Sequence, residues 1–138
     1  MTVTVESASP DYLETIHAGR HVFQVDEPVE AGGKDAAPTP YDLLLAALGA
    51  CKVITLRMYA QRKRWALRGV HVRLSHAKLH AEDCANCDTT SLIDQIEVEI
   101  GLLGDLSAEQ RRTLLAVAEN CPVHRTLTSG VRIRTRAT

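Results

Sequence analysis

The side chains best suited to covalent chemistry in this 138-residue chain are four cysteines, and they occupy two kinds of setting. Cys121 stands directly before Pro122 in "ENCPVHRTL", at the end of an amphipathic stretch. Proline is favoured at the first position of a helix, and the residue before it is disfavoured in the right-handed helical region. Cys121 is therefore expected to cap a short helix through "PVHRTL", after the preceding helix breaks. A sulfur at that cap faces the positive helix end with Arg125 nearby, and both effects are expected to lower its pKa. Cys121 also continues the apolar stripe of Leu114 and Val117, so it is expected to point toward the core. Cys51 lies in "LLLAALGACKVITLRMYA", whose first half is apolar on every side and so should be enclosed. Two thiols could meet there, in a setting suited to redox chemistry. They could equally be small buried hydrophobes, the ordinary role of free cysteine.

The other two belong to "HAKLHAEDCANC", where His76, His80, Cys84 and Cys87 are all zinc-ligand types. The histidines fall on one face of a strand pattern, about 13 Å apart at 3.3 Å per residue, too far for chelation without a bend. A redox-active CxxC and an exposed loop with incidental thiols are the competing readings, and the loop is the simplest.

The elements that must position these groups follow from local pattern. "TVTVES", "YLETIHAG" and "RHVFQVDE" read as a meander of strands with a turn near Ala18-Gly19. Residues 28–40, rich in Gly, Pro and Ala, form a loop long enough to suggest function. From Tyr41 to about Arg64 good helix formers run without proline, giving a helix about 36 Å long. Gly49 interrupts it at a cost of about 1 kcal/mol, which a close backbone approach would explain. Residues 69–80 alternate as a half-buried strand; 91–104 read as a strand, with a helix as the alternative. Ser107 and Gln110 have capping-box spacing before the helix that bears Leu114, Leu115, Val117 and Ala118. "GVRIRTR" alternates again and is expected to close the chain as a strand. The expected class is α+β, in one domain over residues 1–138.

Bulk properties narrow the function. Hydrophobic residues are 45% and charged residues 24%, as in an ordinary globular protein. A net charge of −1 offers no electrostatic case for nucleic acid or an anionic membrane, and "QRKRW" at 61–65 reads as a solvated helix face. The near-continuous apolar run from Leu43 to Cys51 is far short of the roughly 20 residues a bilayer needs. The N-terminal residues lack the basic start and apolar core of a secretory signal, so cytoplasmic residence, where standing disulfides are uncommon, is expected.

"PTPYDLLLAALGACKVITLRMYAQRKRW" and "GDLSAEQRRTLLAVAENCPVHRTL", with "DEP" at 26–28 and Gly32-Gly33, resemble the OsmC/Ohr family of osmotically inducible and organic hydroperoxide resistance proteins. The resemblance covers nearly the whole chain. It implies an OsmC-like fold, an intertwined homodimer with long central helices packed between β-sheets. It implies that Cys51 attacks peroxides and Cys121 resolves the intermediate, with an organic hydroperoxide as substrate, a dithiol as reductant, and no cofactor. The best-studied Ohr members carry a glutamate directly after the proline that opens the long helix, paired with an arginine from the early strands. Here Tyr41 stands in that place and the acid, Asp42, comes one position later, rotated by about 100°. Arg20 is the nearest match for the arginine, and Arg125 a weaker source of charge. Tyr41, Asp42, Leu44 and Leu48 are the expected substrate pocket; an apolar wall of Leu44, Leu48 and Met58 would favour organic over hydrogen peroxide. A small-molecule binding protein of the same fold, with its cysteines as bystanders, is the non-enzymatic alternative.

Overall fold

The computed structural model describes residues 1–80 and 92–137, and Cys84 and Cys87 lie outside them. The chain divides into two compact units, Met1–Ala46 and Ala47–Thr138.

The first unit is built on an antiparallel meander of β1 (Val3–Ser7), β2 (Glu14–Ala18) and β3 (His21–Val25). Val3 pairs with Ala18 and Ser7 with Glu14; Glu14 in turn pairs with Val25 and Ala18 with His21. β-branched residues suit these strands, and Ile16 and Val25 supply the buried apolar side chains. The following loop is organised by one carboxylate. Asp26, only 2% exposed, accepts N–H bonds from Glu27 at 2.8 Å, Lys34 at 3.2 Å and Ala36 at 3.0 Å. The Ala36 bond, foremost, holds its pKa below the usual carboxylate range, against the effect of burial. Gly33 is required in this loop, because a Cβ there would lie 1.9 Å from the Glu27 carbonyl oxygen. Lys34 closes the outside with a 2.6 Å ion pair to Asp11.

Helix α1 (Pro40–Lys63) starts with proline at its first position. Thr39 caps it: its hydroxyl accepts from the Asp42 N–H at 3.1 Å, while the Asp42 carboxylate accepts from the Thr39 N–H at 2.9 Å and hydroxyl at 2.8 Å. The reciprocal bonding is a capping box with an aspartate at its third position.

In the second unit β4 (Ala66–His80) and β5 (Leu92–Asp105) form a long antiparallel ladder, from Ala66 opposite Asp105 to His80 opposite Leu92. The strand reading of 91–104 is the observed one from Leu92 onward. Helices α2 (Ala108–Ala118) and α3 (Pro122–Ser129) complete the unit. Leu56 and Ala60 of α1, Leu67, Leu106, and Leu114 and Ala118 of α2 form its core, flanked by Tyr59, Trp65, Val70 and Ile100. Two arginines bond backbone carbonyls of this unit. Arg57 donates to Leu67 and Arg68 oxygens at 3.2 and 3.0 Å, and Arg111 to Leu102 and Gly104 oxygens at 2.7 and 3.0 Å. Residues 61–64 are solvated, with Arg62 and Lys63 over the Tyr59 ring.

Three expectations change. Gly49 makes room for a side chain rather than a backbone: a Cβ would sit 2.7 Å from Leu74 Cδ1 on β4. Residues 131–137 form no strand, and Val131 and Ile133 are 60% and 84% exposed. Alternation shows how a segment would sit in a sheet, but a strand also needs an edge to pair with, and this one has none among the described residues. Nor is the first half of α1 enclosed on all sides in the protomer: Leu48 and Gly49 are buried, but Ala46, Ala47 and Ala50 are exposed. The buried residues of the whole helix are Leu48, Gly49, Lys52, Leu56 and Ala60, whereas Ile54 and Met58 are 57% and 66% exposed. By length and composition α1 does reach what a bilayer crossing needs, with mean hydropathy 1.6, although no unbroken apolar run does. Its buried stripe packs into the core of the second unit.

Candidate active site

The site grows from the joint between α2 and α3. Ser107 opens α2 with a full capping box: its hydroxyl accepts from the Gln110 N–H at 3.1 Å and the Gln110 side chain accepts from the Ser107 N–H at 2.9 Å. The helix ends at Ala118, and the Asn120 side chain donates to the Ala116 oxygen at 3.0 Å. Cys121 then takes extended angles, φ −64° and ψ 145°, and caps α3 with Pro122 at its start. Both features follow from the Cys-Pro pair, since the proline ring excludes αR from the residue before it.

Two sulfurs meet the first turn of α3. Cys121 Sγ accepts from the His124 N–H at 3.4 Å, and Cys51 Sγ, from the middle of α1, accepts from the Val123 N–H at 3.5 Å. Consecutive amides at the positive end of one helix thus serve thiols from two different elements. Cys51 is half-buried and Cys121 fully buried. The Cys121 thiol is pushed up in pKa, contrary to the expectation from its cap position. Burial is the main cause; the His124 N–H and the Lys52 charge pull down, while Cys51 pushes up further. The cap geometry is as expected, but a sulfur with no contact to water loses more from desolvation than it gains from one helix turn. Arg125 is exposed and is not among the groups acting on it.

The residue missed in the sequence is Lys52. It is fully buried, and its Nζ lies 2.9 Å from the Ala118 oxygen, 3.4 Å from Glu119 Oε1 and 3.0 Å from His124 Nδ1. Glu119 Oε2 stands 3.7 Å from the same imidazole nitrogen. A signal was present. Lys52 falls four residues after Leu48 and four before Leu56, so it occupies the stripe that α1 buries.

The expected pocket residues lie along the opening turns of α1. Leu48 is core, at 4% exposure, and Leu44 is half-buried. Asp42 is committed to the cap of α1, where the Thr39 bonds hold its pKa down, and Tyr41 is exposed at 49%. Arg20 is exposed in the turn after β2, in the first unit. Of the apolar wall, Met58 does border a groove of 680 Å³ beside the thiol joint, with Tyr59 and Arg62 of α1, Val117 of α2, Asn120 and Pro122. His76 is engaged with Asp94 across the ladder, Nε2 to Oδ1 2.7 Å. Among the described residues no group of three His, Cys, Asp or Glu side chains could hold a metal ion.

Comparison with known proteins identifies the family and the fold. Residues 32–136 match the sequence profile of the family described as OsmC-like protein. An OsmC-like protein from Mycoplasma pneumoniae superposes with a TM-score of 0.72 at 18% identity, covering 92% of this chain and 86% of that one. The organic hydroperoxide resistance protein OhrB of Bacillus subtilis gives 0.61 at 19% identity, over 90% and 87%. A Legionella pneumophila organic hydroperoxide resistance protein, OsmC, gives 0.64 at 19%, over 91% and 88%. No curated protein sequence matches the chain.

Proposed function

The chain belongs to the OsmC-like protein family, and from that premise we propose that it is a thiol-dependent peroxidase for organic hydroperoxides, working in the cytoplasm. The observation that carries this reading is the pair of sulfurs on consecutive amides of α3. Their unequal burial supports a division of roles. Cys51 has the access to solvent that a peroxide requires. Cys121, buried and with a raised pKa, suits the resolving thiol, which acts only after attack.

The Cys51 thiolate attacks the peroxide; an S–O bond forms, the O–O bond breaks, and the alkoxide leaves as alcohol after taking a proton. The Cys121 sulfur then attacks the sulfenic sulfur. An S–S bond forms, the S–O bond breaks, and hydroxide leaves as water. A dithiol reductant returns both sulfurs to thiols. Helix α3 favours each anionic sulfur through its terminal amides, so no cofactor enters the scheme. The apolar groove with Met58 and Tyr59 would take the organic part of the substrate.

A homodimer belongs to the same reading. In the protomer α1 leaves Ile54 and Met58 in water, and Val131 and Ile133 alternate along an unpaired extended segment; a second copy would cover such surfaces. Sedimentation equilibrium is expected to give a dimer, and a stable folded monomer at micromolar concentration would refute it. The peroxidase reading is tested by intact mass after one equivalent of cumene hydroperoxide. The expected product has lost two hydrogens, with peptide mapping joining Cys51 to Cys121. An unchanged mass would favour a non-enzymatic binding protein.

A further inference from the structure

Burying an ammonium is costly, and an apolar side chain of similar length would fill the same space on α1 at no such cost. Lys52 is nevertheless fully buried on the stripe that holds Leu48 and Leu56. Its three contacts are not scattered. The Ala118 oxygen and the Glu119 carboxylate end α2, and the His124 imidazole belongs to the first turn of α3. Cys121 lies between those two ends. Lys52 also follows Cys51 directly in the chain, so one residue step on α1 separates the attacking sulfur from the cation.

We infer that Lys52 is the positioning residue of the resolving step: its buried ammonium fixes the α2–α3 joint, and with it the Cys121 sulfur, beside Cys51, and supplies the positive charge against which the Cys121 thiolate forms. This rests on the proposed peroxidase reading. In the step itself Cys121 gives up its proton, its sulfur displaces hydroxide from the Cys51 sulfenic acid, and the hydroxide takes up a proton to leave as water. Lys52 is neither oxidised nor reduced and keeps its proton. The groups around Cys121 are Cys51 and Lys52 from α1, His124 from α3, and, sharing the ammonium, Glu119 at the end of α2. Lys52 is the cation among them, and its charge pulls the Cys121 pKa down against burial. The activating charge for this thiol therefore comes from the long helix itself.

The first test needs no peroxide. In a Cys51→Ser protein, an NMR titration of the Cys121 Cβ reads the thiol directly, without requiring a reagent to reach it. Lys52→Met is expected to move that titration to higher pH by roughly one pH unit. Glu119→Gln, which removes the carboxylate that shares the ammonium, is expected to move it to lower pH. Its side chain is 63% exposed, so this variant folds whether or not the lysine variant does. Opposite shifts are not what a packing role would produce. The second test, in protein with both thiols, separates the steps after one equivalent of cumene hydroperoxide. Lys52→Met is expected to leave dimedone-trappable sulfenic acid forming at Cys51 within about threefold, and to slow disulfide closure about tenfold, the factor equivalent to one pH unit. Unmoved titrations in folded Lys52→Met and Glu119→Gln proteins overturn the inference. Absence of sulfenic acid in the unmodified protein, with both titrations moved, overturns the peroxidase reading and leaves the Lys52–Cys121 coupling standing.

Discussion

Asp26 and Lys52 are the charged side chains buried among the described residues, and each satisfies its charge through three polar contacts. The contacts differ in kind. All three partners of Asp26 are backbone N–H groups within ten residues of it, in one loop of the first unit. Those of Lys52 lie 66 to 72 residues away, and two of them are side chains that can themselves change charge. A charge held only by fixed amides serves the loop that supplies them. A charge shared among titratable groups next to two thiols is set by chemistry as well as by folding. Burial alone would not separate the two; the partners do.

The most severe way to sharpen this contrast is to remove the sulfur that the second unit exposes. Cys51→Ser should abolish peroxide consumption in a coupled assay with a dithiol reductant, since a hydroxyl is a poor nucleophile near neutral pH. Cys121→Ser should allow one attack only, leaving Cys51 as a sulfenic acid that dimedone traps. Trapping at Cys121 in the Cys51→Ser protein, with none at Cys51 in the Cys121→Ser protein, would exchange the two roles. The departure of Tyr41 from the family glutamate predicts slower attack than in Ohr proteins, in the same order of events.

In the first unit the equivalent change is Asp26→Asn, which loses charge but keeps shape. The loop should loosen and the thermal midpoint fall by several degrees, while disulfide formation by the folded protein persists. The pH dependence has a definite sign. Because the folded pKa of Asp26 is depressed, its contribution is present above the unfolded carboxylate value of about 3.9 and is lost as pH falls toward the lower folded value. The Asn variant should therefore show a shallower loss of stability below about pH 4. A variant as acid-sensitive as the parent would break the comparison.

Smaller effects follow at the ends of helices. Ser107→Ala removes the cap of α2 and should cost about 1 kcal/mol in urea unfolding. Asp42→Asn should weaken the cap of α1 by a similar or smaller amount and leave peroxide turnover within about threefold, because its carboxylate is occupied by Thr39. A large loss of turnover would restore Asp42 to the substrate pocket. Least of all should come from Gly49→Ala. The gain in helix propensity, about 1 kcal/mol, is opposed by contact with the far end of the Leu74 side chain, which can turn aside.

Local signals account for what was legible in the sequence. The meander, the span of the long helix, the Ser107–Gln110 box and the break at Cys121-Pro122 each depend on residues within a turn or two of one another. The sequence also allowed Cys51 and Cys121 to meet, one in an apolar segment and the other on an apolar stripe. The failures are tertiary. The raised pKa of Cys121 comes from complete desolvation, which no cap residue reveals. Lys52 drew no notice in the sequence, although its spacing from Leu48 and Leu56 marked it as buried. The alternating segment after α3 needs an edge that the described residues do not offer.

The sharing of one helix start by two sulfurs also makes that start a reporter. Reduced, the Val123 and His124 amides each have a sulfur acceptor. Once the sulfurs are joined, neither can carry an anion, and both amides lose their strongest reason to stay protected. Hydrogen–deuterium exchange at these two positions should quicken on oxidation while the amides deeper in α2 stay slow. The first turn of α3 would then record the redox state of the pair without any added probe.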